Sequence, residues 1–384
     1  MRVAMVGLRA PWGVEGGVES AVAEMAPRLA AAGCTVTVYC RGRYNPYGTG
    51  MRDGVRLVDT PTVYRRSVEA FAHTAYAAPH AAVHHDLVHL HACGPALFAP
   101  VPSLLRRASV VTIHGFDWER AKWGAVARSV LRAGASSAGH GATELIGVSQ
   151  GITDWFAARY PAPATFIPNG VSPHEHHPWE AGIFPALKPD AYTLFIGRLV
   201  PEKDLLTLVR AAARARPRHP VVITGGAAYT DDYVKQLHRE ASGHVHFTGP
   251  RFRREKRMLL SHARAFVFPS RVEGLPIALL EAMSAGLMCV ASDIPANREA
   301  LADHGGWRLP VGDVEAWAKA LGELDAAEPA FRRGIGAQGR KRVQEHFSWD
   351  AVVQDTLAVY ERSLRSRRGA NSRAPWSVPF SASR

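Results

Sequence analysis

Short apolar runs rich in Val, Ile and Phe alternate with amphipathic stretches through most of the chain, a pattern of parallel strands joined by helices. In the first half the runs fall at 2–8, 35–40, 54–61, 86–91, 109–115, 144–149 and 164–170, with helices expected over 18–32 and 121–133. The series restarts at 192–197 and continues at 220–226, 244–249, 264–270 and 288–293, each run followed by a helical stretch. Two such series predict an α/β protein of two Rossmann-like domains. A Pro- and His-rich stretch without periodicity separates them. The expected organisation is a first domain over 1–172, a linker over 173–190, a second domain over 191–346, a helix over 347–364 and a disordered basic tail over 365–384. After 293 only helices are expected.

One segment sits oddly in this pattern. In "SRVEGLPIALLEAMSAG" (270–286), Leu275 is biased toward an extended backbone by the proline after it, and Pro276 suits the first position of a helix that Gly286 would end. Apolar side chains point all round that helix, yet Glu281 lies on its second turn and Glu273 in the loop before it. A buried carboxylate without a partner is costly, so Glu281 needs a protein donor or a ligand hydroxyl. The alternative is a half-exposed helix with Glu281 on its edge and a solvated turn at Glu273.

Composition narrows the class. A chain of 384 residues with 47% hydrophobic positions can bury two cores. No stretch approaches the ~18–20 apolar residues of a membrane span, and the opening apolar run is too short for a secretory signal. A cytoplasmic protein is expected, at most peripheral at the inner face of a membrane. The formal charge of +12, with a pI near 9.9, favours anionic partners: nucleoside diphosphates, lipid phosphates or anionic glycans. No nucleic-acid-binding motif accompanies the charge, so no nucleic acid partner is expected. The Arg-rich "YRRS" and "LLRR" segments either face lipid phosphates or are solvated helix ends. The four cysteines lack CxxC spacing and read as reduced, buried thiols.

Ligands of parallel sheets collect at the carboxyl ends of strands, so the loops there hold the candidates. After the first strand, "GLRAPWGVEGGVES" offers Gly13, Gly16 and Gly17 ahead of a helix, a backbone able to approach phosphate or simply to turn. It is not a GxGxxG fingerprint. In "GRLVPEKDL", Arg198 and Lys203 can converge on a diphosphate, or Lys203 can pair locally with Glu202 or Asp204. His114 follows an apolar strand and is either a structural histidine or one that touches substrate. His89 and His91 share a strand face and "HEHH" occupies 174–177, but no ordered set of three ligands emerges and no metal site is expected. No DxD motif is present to clamp a metal-bound diphosphate.

Together these segments resemble the GT-B glycosyltransferases of family 4, retaining enzymes that use nucleotide sugars. Glu273 and Glu281 stand as E, seven residues, E, preceded by "FPS" and followed by "AMSAG"; "GRLVPEK", "IPNGV", "GVSQGI", "TIHGFDWERAKWG" and the terminal "FSWDAVVQDTLAVYERSL" extend the likeness over residues 1 to about 364. Within the family the chain looks most like bacterial transferases that build cell-surface polysaccharides. The resemblance implies an N-terminal acceptor domain and a C-terminal donor domain facing across a cleft, with the last helix crossing back to the first. It implies a nucleoside-diphosphate sugar, UDP- or GDP-linked, as co-substrate, no cofactor and no metal, and a hydroxyl acceptor that is free or lipid-linked. By the same resemblance, Glu281 would bind the ribose hydroxyls, Glu273 would contact the transferred sugar, and the amides of Gly274 and Leu275 would face the diphosphate. Arg198 and Lys203 would neutralise that diphosphate. Gly16 and Gly17 would let the backbone approach it, His114 would hydrogen-bond the donor sugar, and the backbone near Arg251 would lie beside the base. The stretch "RAGASSAGHGATEL" (132–145) departs from the family in its small residues, which puts acceptor geometry in doubt. A nucleotide-sugar 2-epimerase and a non-catalytic nucleotide-sugar-binding protein share the fold and remain alternatives.

Overall fold

In the computed structural model, strand β1 (Arg2–Val6) lies between two parallel neighbours, β2 (Thr35–Arg41) and β5 (Leu87–His91). The structure describes residues 1–372 apart from 15, 66–67, 121–122, 228–230 and 304. Outward from β2 come β4 (Val55–Thr60) and β3 (Gly50–Arg52); outward from β5 come β6 (Ala108–Ile113), β7 (Glu144–Gly147) and β8 (Ala164–Phe166). Every pair is parallel except β3 with β4. The central strands are buried along almost their whole length, because helices cover both faces; this is why their sequences run apolar without alternation.

The second sheet has the order β11-β10-β9-β12-β13-β14, all parallel, from β9 (Thr193–Ile196), β10 (Val221–Thr224), β11 (Val245–Gly249), β12 (Ala265–Phe268), β13 (Met288–Ser292) and β14 (Gly306–Leu309). In each sheet the chain builds outward on one side of its first strand and then returns to the other. Loops after β1 and β5, and after β9 and β12, therefore diverge and leave a crevice at the strand ends.

Several sequence expectations need correction. β14 follows residue 293, where only helices were expected; it is a four-residue edge strand whose side chains are half-buried, too short and too mixed to show a period. β3 was also missed. Asp53 (φ 48°) and Gly54 (φ 75°) turn it back onto β4, the two left-handed residues of a tight hairpin. The helix after Glu273 begins at Ile277 and not at Pro276, whose ψ of 105° is extended; it runs Ile277–Ser284 and is followed by Gly286 at φ 75°. The helix expected over 121–133 is Ala125–Gly141; residues 121–122 lie outside the described residues. The last helix spans Trp349–Ser372, so the backbone of 365–372, expected to be disordered, is helical; 373–384 lie outside the described residues.

That last helix leaves the second domain and packs on the first. Trp349, Val352, Val353, Val359 and Tyr360 join the core formed by Val3, Met5, Val36 and Val38. Burial of each such aliphatic or aromatic side chain contributes roughly 1.5–3 kcal/mol. Tyr360 also hydrogen-bonds His89 Nδ1 at 2.7 Å, and Arg362 donates to Thr165 at 2.9 Å. The two passages between domains run side by side: Val171 bridges Ser348, and Val171 N donates to Phe347 O at 2.7 Å. All four cysteines are buried and unpaired. Among the described residues no helix is long and apolar enough to cross a membrane.

Candidate active site

Because β9 and β12 are neighbours, the loops that follow them meet. Lys203, in the turn Pro201–Lys203, donates to Glu273 in the loop after β12, and both side chains are about 15% exposed or less. Neither local partner weighed for Lys203 is used: Asp204 pairs with Arg271 at 3.0 Å, and the Glu202 carboxylate, almost fully buried, has no hydrogen-bond partner among the described residues. Burial pushes the Lys203 ammonium below its usual pKa, only partly offset by Glu273. Lys203 Nζ also lies 4.6 Å from the Phe268 ring centroid.

Arg198 stands at the end of β9, half-buried, and its guanidinium makes no hydrogen bond or ion pair among the described residues. Burial lowers its pKa and the like charge of Arg120 lowers it further, only partly offset by the carboxylates of Glu19 and Glu202. An unpaired guanidinium held beside other cations is a standing site for an anion. It lines a cleft of about 550 Å3 whose walls come from both domains: Arg9, Gly13, Arg43 and Tyr44 from the first, Arg198, Gly226, Pro250 and Phe252 from the second.

Glu281 is on the half-exposed edge of its helix, where its side chain keeps 28% of its surface, and it accepts from Lys256 Nζ at 2.6 Å. The partner its position demanded is thus a lysine. Gly274 touches the first domain directly: a Cβ there would sit 2.0 Å from His114 O and 3.1 Å from Gly115 N. Leu275 O accepts from Asn169 Nδ2 of the first domain at 3.0 Å. The 274–275 backbone, ahead of the helix, is therefore held against the first domain at two successive residues.

On the first-domain side, Gly16 precedes the helix Gly17–Ala31, and a Cβ at 16 would come within 2.0 Å of Glu19 Oε2. Glu19 is buried and paired with Arg9 at 2.9 Å; despite its burial, Arg9 holds the carboxyl below its usual pKa. Gly17 opens the helix with free space around it. Arg251 turns away from the cleft: its side chain bonds Thr248 O at 3.1 Å and Glu255 at 3.3 Å, while its neighbours Pro250 and Phe252 line the cleft.

His114 Nε2 is 3.2 Å from His91 Nδ1, and His114 Nδ1 is buried without a partner among the described residues. A ligand hydroxyl reaching that nitrogen would be its first partner. Behind it, the His91 ring lies tilted against that of His89 with centroids 4.1 Å apart, and His89 bonds Thr112 at 2.7 Å as well as Tyr360. Burial pushes His114 down to about 4 and His89 and His73 down to about 3, with His91 well below its ordinary value, so all four are neutral near pH 7. The unfolded chain takes up protons at these positions below about pH 6.5 while the folded one does not, so stability falls by about 1.4 kcal/mol per pH unit for each histidine as pH drops through that window. Calorimetric melting temperatures should be steady near neutrality and fall steeply toward about pH 5; a flat profile would contradict neutral burial of this cluster. No group of three metal-ligating side chains comes together among the described residues, including at His89, His91 and 174–177.

Sequence reasoning missed Lys256, Glu19 and Arg120, and weighed Glu202 only as a partner for Lys203. Lys256 lies in the charge run "RREKR", where nothing in the sequence sets it apart from its neighbours. Arg120 was legible only as part of "FDWER"; it pairs with Asp117 at 3.3 Å, and, against its own burial, Asp117, Glu273 and Glu202 raise its pKa.

Two parallel-sheet domains closing on one charged cleft, with a final helix returning to the first, define the GT-B class of glycosyltransferase. Residues 15–175 match the model of Glycosyltransferase Family 4, and residues 190–326 that of Glycosyl transferases group 1. Alpha-maltose-1-phosphate synthase of Mycolicibacterium smegmatis is 30% identical, over 94% of this chain and 99% of the relative. Sucrose-phosphate synthase from Thermosynechococcus elongatus superimposes with a TM-score of 0.80 at 22% identity, covering 95% of this chain and 99% of the other. Anabaena HepE, solved with UDP-glucose, does so with a TM-score of 0.78 at 18% identity, covering 94% and 99%. The chain belongs to glycosyltransferase family 4.

Proposed function

We propose that this glycosyltransferase moves a sugar, with retention of anomeric configuration, from a nucleoside-diphosphate sugar to a hydroxyl acceptor. The observation that carries this is the unpaired guanidinium of Arg198 in the wall of the interdomain cleft, with the Lys203–Glu273 pair close enough for the charges of Arg198 and Lys203 to act on each other. The anomeric C–O bond breaks, its electron pair leaves with the nucleoside diphosphate, the acceptor oxygen bonds the anomeric carbon, and the hydroxyl proton departs with the diphosphate. Arg198, Lys203 and the Gly274–Leu275 amides meet the negative charge growing on the leaving group; Glu273 meets the positive charge growing on the sugar. The domain contact at Gly274 and His114 excludes water from that step.

Glu281 is assigned to the ribose hydroxyls, which would take over the hydrogen bond that Lys256 now makes. A panel of UDP-, GDP- and ADP-sugars should contain one that raises the melting temperature, and stabilisation by no nucleoside diphosphate or its sugar would sink the assignment. With that donor, Glu281→Ala should weaken binding by about 10- to 100-fold in calorimetric titration, the worth of a charge-assisted hydrogen bond. An unchanged affinity would remove Glu281 from the donor site.

A further inference from the structure

The donor assignment above, on which this inference rests, gives Lys203 two tasks. Its ammonium holds the Glu273 carboxylate, and the same charge is to meet the diphosphate. Once Lys203 turns to the diphosphate, Glu273 is left beside a ligand of its own sign, which pushes the carboxylate away from the place where it faces the sugar. A second cation has to stand within reach.

Of the cations at the site, Arg9 is paired with Glu19 at 2.9 Å, Lys256 with Glu281 at 2.6 Å, and Arg198 is assigned to the diphosphate. Arg120 remains. It follows the turn Asp117–Glu119 of the first domain, and its side chain keeps 26% of its surface. Its ion pair with Asp117, at 3.3 Å, comes without a side-chain hydrogen bond among the described residues, so a guanidinium with five N–H donors has donors to spare.

The same guanidinium stands at the contact between the domains. The point that a Cβ on Gly115 would occupy is 4.0 Å from Arg120 Nη2 and 3.6 Å from Gly274 N, the amide directly after Glu273. Burial works to lower the Arg120 pKa, yet Asp117 and then Glu273 and Glu202 raise it, so the Glu273 charge is already felt there. Glu202 is the competing carboxylate, buried with both oxygens unpartnered among the described residues.

We propose that Arg120 is a positioning residue for Glu273: as the donor's diphosphate draws Lys203 away, the Arg120 guanidinium takes over the Glu273 carboxylate from the opposite domain and keeps it aimed at the sugar. Because the two residues belong to different domains, the handover ties the placement of the carboxylate to the domain contact at Gly115 and Gly274.

The test is a double-mutant cycle on the full chain, with calorimetric titration of whichever UDP-, GDP- or ADP-sugar protects the wild-type protein from unfolding. Arg120→Gln should weaken binding of that donor by about 10- to 100-fold, the usual strength of a hydrogen bond to a charged group, because Lys203 can no longer leave Glu273 without stranding it. Adding Glu273→Gln to Arg120→Gln should bring the affinity back to that of Glu273→Gln alone, since the stranded charge is gone. Neither a merely structural role nor a direct contact of Arg120 with the diphosphate produces a second substitution that repairs the first. Arg120→Lys keeps the charge without the fork and should retain part of the affinity; where Arg120→Gln does not hold its fold, Arg120→Lys carries the same comparison with a smaller loss. Unchanged affinity in Arg120→Gln, a double variant as weak as Arg120→Gln, or repair by Glu202→Gln in place of Glu273→Gln would each overturn the proposal and leave the donor reading standing. A wild-type protein that binds no nucleoside-diphosphate sugar would overturn both.

Discussion

Glu273→Gln is expected to lower kcat by about 10²–10³-fold, the usual cost of removing one preorganised charge from a transition state, while donor affinity changes little. The amide keeps the shape of the side chain and can still accept from Lys203, so the loop after β12 retains its form. What is lost is the negative charge facing the sugar as its anomeric carbon becomes electron-poor. Single-turnover rates with calorimetric donor titration separate the two quantities. A variant with full turnover would show that Glu273 serves only to neutralise Lys203. A variant that loses donor affinity in proportion to turnover would show that the carboxylate holds the ground state and not the transition state.

Gly274→Ala is the second large effect. The added methyl carbon would lie 2.0 Å from His114 O and 2.7 Å from its carbonyl carbon, both backbone atoms that cannot swing aside. The domains must then part at the point where the diphosphate would sit, and a displacement near 1 Å at a reacting centre costs on the order of 10²-fold in rate. We expect kcat/KM to fall by about 10²-fold or more, accompanied by a larger radius of gyration in X-ray scattering with donor bound. Gly322→Ala is the matched control: that glycine lies inside the helix Val314–Ala326 with nothing near a Cβ, and alanine there should be neutral or stabilising by up to about 1 kcal/mol. Wild-type rates for Gly274→Ala would mean that the two backbones do not need to meet.

The parallel core was legible because it is buried on both faces: runs such as β6 and β12 carry no polar alternation to confuse. Edge elements were not. β14 is half-exposed and four residues long, and β3 announced itself only through the Asp53–Gly54 turn. At the site, Arg198, Lys203, Glu273 and Glu281 could be named, but their partners could not, since each charge had plausible neighbours one or two positions away. Lys203 passes over Glu202 and Asp204 for a carboxylate 70 positions on, because the strand order sets β12 beside β9. Arg251 follows the same rule: the place of its backbone between Pro250 and Phe252 was foreseeable, whereas the Thr248 carbonyl and Glu255 that its side chain bonds depend on the geometry of one loop.

The helix Trp349–Ser372 has a consequence for the birth of the molecule. Its tryptophan, valines and Tyr360 complete the core around β1 and β2, strands that leave the ribosome long before the helix does. The amino-terminal half therefore cannot finish folding when its own last strand emerges. It must wait, with apolar surface open near Val3 and Met5, until more than 150 further residues have been translated and the second domain has had time to form. Synthesis order and completion order are thus reversed for this half, and a chain cut short before Trp349 would leave strands made much earlier without their cover.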